Sequence, residues 1–201
     1  MATDTDNDGT SIYSTPKGGL YGGPLDLAGL DPNVQATLMG YRWATSFGGS
    51  QAATTIHYSF PTSADTYKTT PTYPSSTELT TFEPVTTFQK AAVQTGLNLV
   101  ASYTNLTFVE TSSGSATDAT LRFAQYTPTK PGSEARFPSN EGASKGYQSD
   151  SRDAGDMFLG QNAKPGAAFF GTDDFTTIIH EMGHAFSLKH GHDGTLHGTL
   201  A

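Results

Sequence analysis

Apolar and polar side chains alternate from Ala53 to Phe60 (ATTIHYSF), with Ile56, Tyr58 and Phe60 on one face and Thr55, His57 and Ser59 on the other. That period of two predicts a strand, which Pro61 ends. Asn105 to Glu110 (NLTFVE), Ala119 to Tyr126 (ATLRFAQY) and the short Ala154 to Leu159 (AGDMFL) predict three more, the last with Met157 and Leu159 on one face. Between the first two strands, Val85, Phe88, Ala92, Thr95, Leu99 and Tyr103 recur at spacings of three and four. This pattern predicts a helix with Pro84 at an early position, where a missing N–H costs little. Gly96 weakens that helix without stopping it. A last helix is predicted within TDDFTTIIHEMGHAFSLKH, Thr172 to His190. Asp173 and Asp174 suit its positive end, and Ile178, Ile179, Met182, Ala185 and Phe186 supply its apolar faces.

Thr62 to Thr81, Thr127 to Ser151 and Gly160 to Gly171 are polar or Gly/Pro-bearing and read as loops, and Leu25 to Gly40 shows no clear period. Residues 1–20 read as a flexible segment ahead of one domain spanning 21–201. Strands and helices are interspersed without internal repeats, and the fold class expected is α+β.

Charge and composition narrow the function. Eleven Lys+Arg stand against 19 Asp+Glu, a net charge of −8 over 201 residues. Nucleic acid and anionic membrane surfaces would repel such a chain. No apolar run approaches the roughly 20 residues that membrane insertion requires, and the N-terminus lacks a signal-peptide pattern. Cysteine is absent. Disulfides, a thiol nucleophile and Cys-ligated zinc are therefore excluded, and any metal must sit on His, Asp, Glu or Tyr. Asp4, Asp6, Asp8 and Gly9 form half of a calcium loop, but Thr15 stands where the bidentate Glu should be, so an acidic tail is the better reading.

The last helix carries the chemistry. His180 and His184 are four apart and project from one side, where two imidazoles can hold one Zn²⁺. Glu181 follows the first His and is placed to act on water rather than on the metal. His190 can return as a third ligand once the chain leaves the helix. Three His with an open position mark a catalytic rather than a structural zinc site. The other histidines read differently: His57 as a solvated strand residue, and His192 and His197 as tail residues that could replace a ligand if the turn fails. Asp156 reads as a strand-edge or turn-capping residue with a catalytic role as the lesser alternative.

With these residues the chain resembles the metzincin metalloproteases, whose pattern is H-E-x-x-H-x-x-G-x-x-H. The order GYRW from Gly40, a strand ending YSFP at Pro61, the long helix, NLTFVE, AGDMFL and the zinc segment is similar to the serralysin group of bacterial endopeptidases, over roughly Gly40 to Gly194. The resemblance implies a zincin fold: a twisted mixed sheet, a long backing helix and an active-site helix. It implies zinc on His180, His184 and His190, with Glu181 as general base in hydrolysis of protein or peptide substrates. By the same analogy AGDMFL is the edge strand that pairs with an extended substrate, through Gly155, Asp156, Met157, Phe158 and Leu159. A secreted, bacterial, monomeric enzyme is the corresponding expectation.

Two departures stand out. Ser187 replaces the family's Gly, at a turn that favours positive φ. The family's Met-turn, its tyrosine and its calcium-binding repeats would follow His190, and every Met of this chain precedes it. The chain therefore reads as truncated before the Met-turn, with Ca²⁺ belonging to the missing C-terminal region. The competing reading is a non-catalytic zinc-binding remnant, against which a retained Glu181 argues. A Thr-rich adhesive domain with an incidental motif is a third.

Overall fold

The computed structural model describes residues 20–45, 52–67, 77–111, 119–126, 132–138, 153–163 and 171–192. The expectations for the acidic segment before Leu20, the Asp4–Asp6–Asp8 run and His197 lie outside these residues. Within them the chain is α+β. In chain order, β1 (Tyr21–Pro24), α1 (Pro32–Ala36) and β2 (Tyr41–Ala44) form an N-terminal unit in which β1 and β2 pair antiparallel. β3 (Thr55–Ser59), α2 (Thr77–Thr80), β4 (Phe82–Pro84), α3 (Thr87–Tyr103), β5 (Thr107–Glu110) and β6 (Leu121–Tyr126) come next. β7 (Glu134–Ala135), β8 (Asp156–Leu159) and α4 (Asp173–Ala185) complete the set.

The larger sheet is mixed and runs β5-β3-β6-β8-β7, with β4 pairing the far end of β6. β5, β3, β6 and β8 are parallel, whereas β4 and β7 run against them. Both faces of its centre are covered, which is why every residue of β6 and β8 is buried. Leu121, Phe123, Met157 and Leu159 point toward the main core with α3 and α4. Ala124, Tyr126 and Phe158 meet Tyr67 on the opposite face. On that face Arg122 and Asp156 form a fully buried bidentate pair, Nε to Oδ1 at 2.7 Å and Nη2 to Oδ2 at 2.5 Å. The guanidinium also donates to the Thr66 carbonyl and lies over the Tyr67 ring.

Several expectations are corrected. The long helix starts at Thr87 with Thr86 as its cap, so Pro84 does not lie in its first turn. Thr86 Oγ1 accepts from the Gln89 N–H while Gln89 Oε1 accepts from the Thr86 N–H, a reciprocal cap. Pro84 ends β4, whose pairing with β6 needs no donor from it. The buried face of α3 is Gln89, Ala92, Val93, Gly96 and Leu97, whereas Phe88 is 49% and Tyr103 82% exposed. The reason lies in Gly96 and Gln89. A Cβ at Gly96 would meet Ile179 Cδ1 at 2.6 Å, so this bare position sets the close approach of α3 to α4. Gln89 is buried because its amide donates to Gln125 Oε1 and to the Ala163 carbonyl.

The expected loop from Thr62 to Thr81 holds a 3-10 turn, Ala64–Tyr67, that buries Tyr67, and then α2. The expected loop from Thr127 to Ser151 holds β7, which pairs with the outer side of β8. The expected edge strand Ala154–Leu159 is thus internal. Its N–H and C=O groups are shared between β6 and β7, and Gly155 N–H bonds the Arg136 carbonyl. Asp156 is committed to Arg122, so neither its carboxylate nor the strand backbone is open to a substrate. No helix among the described residues is long and apolar enough to cross a membrane.

Candidate metal centre

α4 begins where Thr172 Oγ1 accepts from the Phe175 N–H, with Asp173 and Asp174 in its first turn. Phe175, Ile178, Met182 and Ala185 bury one side in the main core, which leaves His180 and His184 on the open side. The helix ends in a paired turn: Leu188 N–H bonds the Gly183 carbonyl at 2.8 Å, and Ser187 N–H the His184 carbonyl at 2.9 Å. This is the double closure that a left-handed residue makes at a helix end. Ser187 takes that conformation, with φ 75°. The positive-φ turn expected there is therefore made with serine in place of glycine, and the Ser187 Oγ is buried without a hydrogen-bond partner.

That turn brings His190 back. The three imidazoles form a near-equilateral triangle, with ring centroids 4.7, 5.0 and 4.8 Å apart. One ring nitrogen from each lies within 4.8 Å of the other two. Nε2 of His180 and Nε2 of His190 are 3.0 Å apart, close to the roughly 3.3 Å edge of a tetrahedral zinc site with zinc–nitrogen bonds near 2.0–2.1 Å. His184 Nδ1 lies 2.7 Å from the Leu188 carbonyl. A carbonyl only accepts, so Nδ1 carries the proton and Nε2 keeps its lone pair for a metal. Burial lowers the pKa of His180, and the neighbouring His184 and His190 lower it further, which favours the neutral ligand form. The donor set fits Zn²⁺.

Glu181 is only 6% exposed, and its Oε2 has no hydrogen-bond partner. Burial, with the negative charge of Glu134 second, raises its pKa to about 7, and the charge of His190 offsets part of this. A carboxylate poised there can exchange protons near neutral pH. Glu134, on β7, accepts from Tyr126 Oη and from Arg136 Nη2. Phe137 sets its ring edge-on to His184 at 5.3 Å.

Of the residues singled out by sequence, His180, Glu181, His184 and His190 come together. His192 lies outside the triangle, its ring parallel to His190 with centroids 5.2 Å apart. His57 sits in β3 opposite Val109, away from the group. Asp156–Leu159 lie inside the sheet, and Gly155 lies in the turn before them. Sequence reasoning missed Glu134, Phe137 and the Leu188 carbonyl. The first two occupy a stretch, SEARFP, too short to show a strand period, and the third is a backbone atom that no residue type marks. No family model matches the chain, and no curated protein matches it.

Proposed function

We propose that the protein is a zinc-dependent endopeptidase of the metzincin type, similar to the serralysins. The observation that carries this reading is one helix turn: two imidazoles face His190 while the intervening Glu181 is buried, with its Oε2 lacking a hydrogen-bond partner. A purely structural site has no use for such a carboxylate, whose burial, with the nearby charge of Glu134, raises its basicity. His180, His184 and His190 would hold a zinc ion, which would supply Lewis acidity for peptide-bond hydrolysis. Glu181 takes a proton from the attacking water and passes it to the leaving amine nitrogen as the C–N bond breaks.

β7 ends the strand path among the described residues and runs antiparallel to its neighbour. An extended peptide adding to that edge would pass Phe137 and the imidazoles, which moves the substrate strand from Gly155–Leu159 to Glu134–Phe137. Backbone pairing of this kind implies broad sequence tolerance. The mixed sheet backed by α3 supports a metzincin-like arrangement. The secreted location rests on the resemblance alone.

The test pairs zinc content with cleavage of casein before and after chelation, in the wild type and in Glu181→Gln. One zinc per chain, chelator-sensitive cleavage, and a Gln variant that keeps zinc and loses cleavage are expected. Cleavage that survives Glu181→Gln would remove the assigned base. Zinc without any cleavage would favour the non-catalytic remnant.

A further inference from the structure

The turn that carries His190 is held from outside its helix. Met39 N–H donates to the Ser187 carbonyl at 2.8 Å, and Lys189 N–H donates to the Thr37 carbonyl at 2.8 Å. These two bonds flank an antiparallel bridge between Leu38 and Leu188. Trp43 is buried, and its Nε1–H donates to the Ala185 carbonyl at 3.1 Å. That carbonyl belongs to the last turn of α4, where the helix offers no partner of its own. Every one of these contacts comes from Thr37–Trp43 and falls on Ala185–Lys189, the stretch between the second and third imidazoles.

We propose that Thr37–Trp43 is a clasp that positions His190, with Met39 and Trp43 as positioning residues, so that clasp closure and metal affinity are coupled. The proposal rests on the reading of His180, His184 and His190 as metal ligands. Its physical basis is preorganisation. A ligand on an untethered segment must be ordered when the metal binds, and that lost freedom subtracts from affinity. Here the segment is already ordered by a bridge to a distant part of the chain. The same bridge serves His184. Both of its hydrogen bonds fall on Ser187 and Lys189, so the Leu188 carbonyl stays available to hold the His184 Nδ1 proton. Coupling is reciprocal, so metal must tighten the clasp by the factor by which the clasp tightens metal.

The test uses the full chain and zinc chloride competed against a chromophoric chelator, with cobalt(II) absorption as a second readout. Trp43→Phe keeps most of the ring volume and removes the N–H. It is expected to weaken zinc about tenfold, in the range for loss of a group that orients a ligand, and to alter the cobalt spectrum. In the wild type, saturating zinc is expected to slow exchange of the Met39 and Lys189 amides about tenfold more than the amides of β6. Should Trp43→Phe fail to fold, the wild-type exchange decides alone. Unchanged zinc affinity and cobalt spectrum in Trp43→Phe, or clasp amides that merely track β6, would overturn the clasp while the metal site stands. A wild type that takes up no zinc would overturn the metal reading and the clasp together.

Discussion

His180 and His190 face each other Nε2 to Nε2 at 3.0 Å, across a helix end whose turning residue, Ser187, holds φ 75°. The first of these imidazoles is fixed by helical spacing. The second is fixed by a turn of unfavourable backbone and by contacts from the other end of the chain. Different substitutions therefore report on the two halves of the centre.

Ser187→Gly removes the left-handed strain, about 1–2 kcal/mol for a residue with Cβ, and a buried hydroxyl without a partner. Against this stands the larger unfolded-state entropy of glycine, about 0.4–1 kcal/mol. The variant should be more stable by about 1 kcal/mol, read as a higher urea midpoint at unchanged slope. Ser187→Val, β-branched at the same φ, should be clearly less stable than the wild type. A Gly variant that is destabilised would show that the serine hydroxyl contributes something these contacts do not contain.

Glu181 has a pKa of about 7 in the folded protein against an ordinary value of 4.5. Between those values the folded state keeps a proton that the unfolded chain has released. Stability of the metal-free protein attributable to Glu181 is thus fully present below about 4.5 and is lost as pH rises through about 7. Glu181→Gln cannot titrate. Melting curves in chelator from pH 4 to 8 should show the wild type losing ground to the Gln variant as pH rises. The lowered pKa of His180 acts in the opposite direction, but it is common to both proteins. A difference that stays flat with pH would contradict the burial of a neutral carboxyl.

Zinc should raise the melting temperature of the wild type in a concentration-dependent way, by about 2.7 kcal/mol of stability at a hundredfold excess over Kd. His190→Ala removes a donor outright. It should weaken zinc by more than the roughly 10–100-fold typical of losing a group that merely orients a ligand. Isothermal titration on both proteins checks this, and equal affinities would show that His190 is not a ligand.

Asp156→Ala should cost about 3–5 kcal/mol, because it strands the Arg122 guanidinium in a fully buried site. Replacing both residues together, Arg122→Met with Asp156→Leu, should recover most of that loss. Denaturant midpoints of the three proteins decide. A mild effect of the single substitution would mean that water reaches Arg122.

Much of the fold is legible in the chain. Period-two alternation locates β3, because successive side chains of a strand point to opposite faces, and short apolar, β-branched and aromatic runs locate β5, β6 and β8, the last two buried on both faces. The zinc segment is legible because its geometry is local: i and i+4 share a helix side whatever surrounds them. The face of α3 is not, since Phe88, Leu99 and Tyr103 have helical spacing but lie largely exposed, while a glutamine and a glycine fill the contact. Hydrophobicity cannot rank those two, since Gln89 is buried by its amide bonds and Gly96 by the absence of a side chain.

The strand edge escapes the sequence for a different reason. A two-residue strand such as β7 has no periodicity, yet it takes the outer side of β8 and turns an expected edge into an interior. Local pattern determined the four strands, the two long helices and three members of the candidate centre, His180, Glu181 and His184, because all of these depend on spacing within one segment. Tertiary structure alone decided that Asp156 is spent on Arg122, that Glu181 is buried beside the charge of Glu134, and that Ser187 turns the chain while Thr37–Trp43 holds the segment leading to His190. Those outcomes depend on pairings between segments far apart in the chain, and the identity of a residue does not say which carbonyl its N–H will meet.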